Sequence, residues 1–251
     1  MSPTVLVACD AASDDDAPDA FAATLARLLD ASVARATVHA DGRLAGDEPD
    51  SLPARPRPGV RVVHAASAPA GLQRLLADER PDLLVVGSSS SAVLGRTLLG
   101  DTAERILDGA PGPVVIVPRR YASGPLRAVG AGLLPTSEGA AAARTAAALA
   151  RAADVPLVAL AILRRTPDAQ EASALAVLDE TIDAVAADLP VERRVLVGEP
   201  ADALLRASGR LGLLVLGSRA YGPPGVALAG GVTRRVLRGA RCPVLIVPRA
   251  Q

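Results

Sequence analysis

The chain has 251 residues and no net formal charge, and half of its residues are hydrophobic, which is ample for two cores. The neutral balance argues against a general nucleic-acid or anionic-membrane surface. All 27 basic residues are arginine, so Schiff-base, catalytic-lysine and P-loop-lysine chemistry is excluded.

Thr4 to Cys9 is a continuous apolar run and predicts a buried parallel strand ending at Asp10. Three consecutive aspartates, Asp14 to Asp16, follow in a polar loop. Pro18 then opens a helix with Phe21, Leu25, Leu28 and Leu29 at helical spacing. Val33 to Val38 is the second strand. His39 to Pro58 is rich in Pro, Gly and Asp and reads as a long loop. Val60 to His64 is the third strand, and Pro69 to Glu79 a helix with Leu72, Leu75 and Leu76 turned inward. Leu83 to Val86, a loop from Ser88 to Leu99, a helix from Asp101 to Leu107 and a strand from Val114 to Val117 follow.

Arg119 to Pro125 carries turn residues and reads as a linker. Beyond it the order begins again. Leu126 to Ala131 is a strand, and Thr136 or Ser137 caps an Ala-rich helix to about Ala152. Pro156 to Leu163 is the next strand. Pro167 to Leu189 is a helix with Leu175, Leu178, Ile182 and Val185 in helical register, an element the first copy lacks. Val191 to Val197, Pro200 to Gly209, Leu213 to Gly217 and Val244 to Val247 complete the series.

The repetition is explicit at an offset of 130 residues. From Asp82 to Arg119, 18 of 38 positions are identical to their partners at 212 to 249. The chain is therefore read as two copies of one unit, residues 1–120 and 125–251. Alternating strands and helices imply two tandem doubly wound domains, each with a five-stranded parallel sheet. The ligand crevice of such a domain lies at the carboxyl ends of its strands. The sequence places Asp10 and Gly87 there in the first copy, and Gly132 and Gly217 in the second.

Most other chemistry-bearing residues carry a plain structural reading. Cys9 and Cys242 lie beside apolar runs and read as small core thiols of a reduced protein. His39 and His64 are far apart in sequence, with no partner at metal-ligand spacing, and read as surface or strand-end residues. Asp14 to Asp16 reads as a solvated, helix-capping loop. Ser88 to Ser91 lacks a nucleophile elbow or a partnered histidine. No apolar run reaches the ~20 residues of a membrane span, and the N-terminal run lacks a basic flank. The expectation is a cytoplasmic protein with no membrane and no nucleic-acid partner.

Several segments together resemble the universal stress protein family, in its tandem two-domain form. They are Gly217-Ser218-Arg219, Gly230-Gly231-Val232-Thr233-Arg234-Arg235 and Cys242-Pro243-Val244-Leu245-Ile246-Val247-Pro248. In the first copy they are Gly87-Ser88, Gly100-Asp101-Thr102-Ala103-Glu104 and Pro113 to Pro118. The resemblance covers nearly the whole chain. It implies an adenine nucleotide alpha hydrolase-like, Rossmann-like fold and a non-catalytic role in stress response. It also implies adenine nucleotide binding, with ATP and accompanying Mg²⁺ as the cofactors.

ATP-binding members carry Gly, two residues, Gly, nine residues, Gly, then Ser or Thr, with an Asp ending strand 1. Glycines admit backbone N–H groups to phosphates, and a helix N-terminus adds positive potential. By that match the second copy would use Gly217, Ser218, Arg219, Gly230, Gly231, Val232 and Thr233. It departs at Ala220, at Gly231 and, on a linear alignment, at Gly132 in place of the Asp.

The first copy offers Asp10, Gly87, Ser88, Gly100 and Thr102 but departs at Ser90 and Asp101. A carboxylate ~4 Å from a phosphate charge costs about 4 kcal/mol at an effective dielectric of ~20, so the second copy is the expected nucleotide site. The departures also support a second reading, a ligand-free interaction or scaffold protein with decayed sites. An enzyme reading, such as a slow ATPase, finds no histidine-rich or lysine-bearing phosphate motif. The apolar fifth strands, Val114 to Val117 and Val244 to Val247, would be exposed edges. They are expected to pair the two copies within one chain as a pseudo-dimer. A homodimer of chains is a further state that the resemblance allows.

Overall fold

A computed structural model of the chain describes residues 2–9, 13–40, 58–88, 101–107, 110, 112–133, 137–164, 168–218 and 230–248. The first copy contains β1 (Thr4–Ala8), α1 (Ala17–Leu29), β2 (Ser32–Ala40), β3 (Arg61–Ala65), α2 (Ala68–Glu79), β4 (Leu83–Gly87), α3 (Asp101–Leu107) and β5 (Val114–Val117). The second contains β6 (Val129–Leu133), α4 (Ser137–Ala153), β7 (Leu157–Leu163), α5 (Asp168–Ala186), β8 (Val191–Val197), α6 (Pro200–Ser208), β9 (Leu213–Gly217), α7 (Gly231–Leu237) and β10 (Val244–Val247).

The ten strands form one sheet in the order β3-β2-β1-β4-β5-β10-β9-β6-β7-β8. Every pairing inside a copy is parallel. The central pairing, β5 with β10, is antiparallel, with Leu245 opposite Val115 and Val244 opposite Ile116. All eight residues of these two strands are buried. Side chains alternate across a strand, and both faces here are apolar because both are covered. Val115, Val117, Leu245 and Val247 enter one core with α1, α4 and α5. Val114, Ile116, Val244 and Ile246 enter the other with α2, α3, α6 and α7. The helices therefore lie on both faces of the sheet, and each core runs across the junction between the copies.

Local chemistry sets the element ends. Ser67 caps α2 through its hydroxyl, which accepts the Ala70 N–H at 3.3 Å. α1 has proline at its start and closes on Asp30 in the left-handed region, φ 48°. The alanines of α4 lie at the centre of the first core, and small side chains let α4 approach β6, β9 and α1 closely.

Four sequence expectations shift. β6 starts at Val129, three residues after the predicted Leu126, because Leu126 and Ala128 pack against the cores ahead of the strand. Ser137 is the first residue of α4 rather than its cap, and Thr136 lies outside the described residues. Leu175 is 36% exposed although it shares the spacing of Leu178 and Ile182, which are buried. Cys9 is half-exposed, unlike the fully buried Cys242, because β1 has ended by that point. The predicted loop at 41–57 lies outside the described residues.

The linker is anchored at several points. The Arg119 N–H donates to the Ser88 hydroxyl at 2.8 Å. The Arg120 N–H, at a residue with φ 55°, donates to both Asp15 carboxylate oxygens at 3.1 and 3.2 Å. Tyr121 packs against both cores. Asp15 also accepts the Ala17 N–H at 3.3 Å. The acidic triplet thus caps α1 through Asp15, while Asp16, which precedes the helix, makes no side-chain cap. These residues line a cleft of about 300 Å³ between the triplet and the linker.

Candidate functional site

In the second copy, β9 ends at Gly217, beside Val247 of β10. The next residue, Ser218, is buried and its N–H donates to the Val247 carbonyl at 2.8 Å. Residues 219–229, which include Arg219 and Ala220, lie outside the described residues. The chain is described again at Gly230, an extended residue (φ −73°, ψ 173°) preceding α7. The first intrahelical bond runs from the Arg234 N–H to the Gly230 carbonyl at 2.9 Å. The N–H groups of Gly231, Val232 and Thr233 precede it and have no partner within the helix.

Thr233 is buried and Val232 packs partly against the second core, so what these residues present is backbone. Among the described residues, a methyl group placed at Gly230 or Gly231 meets no atom within 4 Å. Packing against the described residues imposes neither glycine. Arg235 is committed elsewhere: its guanidinium pairs with Asp202 of α6 at 2.9 Å. Of the helix arginines, it is therefore a clamp between α6 and α7.

The first copy is arranged differently. Gly87 ends β4, and a methyl there would meet the Pro18 ring at 2.9 Å, so packing on α1 accounts for this glycine. The Ser88 N–H donates to the Val117 carbonyl at 2.9 Å, and its hydroxyl is taken by the linker. Asp101 and Thr102 begin α3. Asp10, Ser90 and Gly100 lie outside the described residues.

The register corrects the alignment of the two strand-1 ends. β1 sets Val5 against Leu83, and β6 sets Val129 against Leu213. Val129 therefore stands in the place of Val5, an offset of 124, whereas matching Asp10 to Gly132 takes an offset of 122. Gly132 occupies the place of Ala8, and the counterpart of Asp10 is Leu134, outside the described residues. Gly132 is a packing residue: a methyl there would lie 2.5 Å from a Leu216 methyl and 3.3 Å from one of Leu204. The linear comparison missed this because it ended the strand at Ala131, two residues short of Leu133.

The histidines lie near strand ends, as expected, and the register adds their proximity. His39 and His64 are 25 positions apart in sequence, yet β2 and β3 place them directly opposite one another. Their rings meet edge to face with centroids 5.7 Å apart. Only strand register, which a linear reading cannot supply, brings them together. Among the described residues no group of three or more metal-ligating side chains occurs.

Burial decides the thiol chemistry. Desolvation pushes the Cys242 thiol up to about 12, so it is a core group and not a nucleophile. Among the described residues no helix is long and apolar enough to cross a membrane.

A family model described as the universal stress protein family matches residues 4–118 and 127–248. A universal stress protein of Mycobacterium tuberculosis is 29% identical over 202 residues, covering 72% of this chain and 69% of the relative. One of Mycolicibacterium smegmatis is 32% identical over 190 residues, covering 68% of this chain and 63% of the relative. The crystal structure of a universal stress protein from Archaeoglobus fulgidus superposes with a TM-score of 0.67 over all of this chain and 98% of its own. At 18% identity it speaks to the fold.

Proposed function

The chain belongs to the universal stress protein family, and on that premise we propose a non-catalytic, cytoplasmic stress-response protein that binds an adenine nucleotide in its second domain. The domains are residues 1–120 and 125–251, joined as an intramolecular pseudo-dimer through β5 and β10, with a homodimer of chains as a further level of assembly. The observation that carries the nucleotide reading is the start of α7. There three successive N–H groups without helical partners, those of Gly231, Val232 and Thr233, follow Gly230, and a methyl at either glycine would meet none of the described residues within 4 Å.

Phosphate oxygens would be held by the N–H groups of Gly231, Val232 and Thr233, with Gly217, Ser218 and Arg219 at the strand end. Mg²⁺, where it accompanies ATP, would screen the phosphate charge. The first domain is the structural half. Asp101 stands where the second has Gly231, and its Ser88 hydroxyl already serves the linker.

The test is a thermal-shift titration with ATP, ADP, AMP and cyclic AMP, with and without Mg²⁺, on the native chain and on Gly230→Asp. A ligand at 100 times its dissociation constant adds about 2.7 kcal/mol to the domain that binds it. The expected result is a shift that the variant loses. No shift with any nucleotide overturns the reading and supports the ligand-free scaffold that the Arg235–Asp202 pairing favours.

A further inference from the structure

We propose that His39 and His64 form a two-imidazole site for a divalent late transition metal ion such as Zn²⁺ or Ni²⁺, at the carboxyl end of β2 and β3. These are the chain's only two histidines. They are registered neighbours on adjacent parallel strands, and their side chains share one face of the sheet. Val38 and Val63 point to the opposite face, against α2.

The geometry suits chelation. Two imidazoles whose nitrogens lie about 2.0–2.1 Å from one tetrahedral ion have ring centroids roughly 5 Å apart. The observed 5.7 Å is close to that. His39 is half-buried and His64 exposed, so both rings reach the protein surface. Imidazole donors favour Zn²⁺, Ni²⁺ and Cu²⁺ over Mg²⁺ or Ca²⁺. Arg74 reaches the His64 backbone carbonyl from α2, on the opposite face, at 2.9 Å.

The internal repeat supplies the contrast. By the 124-residue offset His39 corresponds to Leu163, and the register that pairs His39 with His64 in the first copy pairs Leu163 of β7 with Val197 of β8 in the second. The second copy thus carries an apolar pair where the first carries two metal ligands. Val197 is 47% exposed, so the position is open in both copies. The two copies differ in what this pair of positions can bind.

The experiment uses the full chain carrying Cys9→Ser, which removes the half-exposed thiol as a competing ligand. Calorimetric titration with Zn²⁺ is run alongside proton NMR of the imidazole Cε1–H resonances during Ni²⁺ addition. The expected result is one ion per chain, with both histidine resonances broadened together. His39→Ala and His64→Ala, each confirmed folded by circular dichroism, should each weaken binding at least tenfold. Absence of saturable binding, a response from only one histidine, or affinity unchanged by either substitution would overturn the proposal.

Discussion

The Tyr121 hydroxyl donates to the Gly212 carbonyl at 3.3 Å. Tyr121 belongs to the linker, and Gly212 immediately precedes β9 of the second domain. The same ring meets Phe21 of α1 edge-on, with centroids 5.9 Å apart. One side chain therefore touches both domains, and burial raises its pKa, with the neighbouring Cys242 adding to that. Tyr121→Phe should cost about 1 kcal/mol, the net worth of one hydrogen bond. Tyr121→Ala should cost several times more because it also opens a gap beside Phe21. Chemical denaturation of the two variants measures the difference, and equal costs would show that the ring contact contributes nothing.

The two thiols should separate cleanly in reactivity. Cys9 is half-exposed and Cys242 is buried with its pKa near 12. A thiol reagent at neutral pH should modify one cysteine per native chain and two per unfolded chain. The Cys242 shift also fixes a pH dependence. Its folded pKa lies above the ordinary value of 9.0, so the unfolded chain loses that proton first as pH rises. The stability it contributes is complete below about pH 9 and is lost progressively towards pH 12. Cys242→Ala should flatten this part of the stability-against-pH curve, and an unchanged slope would refute the assignment.

Much of the fold can be read in the linear sequence because buried parallel strands are written as apolar runs. Val114 to Val117 and Val244 to Val247 are such runs, and the structure matches their limits. Helices with a clear stripe, such as α2 with Leu72, Leu75 and Leu76, were equally legible. What could not be read depends on register across the sheet. Gly132 seemed to be a missing aspartate until its neighbour Leu216 showed it to be a packing position. His39 and His64 seemed isolated for the same reason. At the candidate nucleotide site the glycines were visible. Sequence could not show that Arg235 is bound to Asp202, or that the Ser88 hydroxyl is bound to the linker.

The junction between the domains rests on β5 and β10, where Leu245 lies opposite Val115. Both are fully buried, so Leu245→Ala should destabilise the chain by about 2–5 kcal/mol. Leu245→Asp should do more, because it places a carboxylate in the core shared by both domains. Limited proteolysis should then cut within Arg119 to Pro125, which these contacts hold in place. A native-like cleavage pattern in Leu245→Asp would show that the domains cohere without the strand pairing.

The last prediction distinguishes glycines that the fold requires from glycines it does not. At Gly132 a methyl would fall 2.5 Å from Leu216 and 3.3 Å from Leu204, both buried side chains. Gly132→Ala should therefore cost about 1–3 kcal/mol through overpacking. Combining it with Leu216→Ala should recover part of that loss, because the two changes share one space. At Gly231 a methyl meets nothing within 4 Å among the described residues, and the residue lies in the first turn of α7. There Gly231→Ala should leave stability unchanged or raise it by up to about 1 kcal/mol, since alanine favours the helix. If Gly231→Ala also abolishes a nucleotide-induced thermal shift, the glycine serves ligand approach. If the shift survives, the N–H groups of α7 suffice and the side-chain position is free.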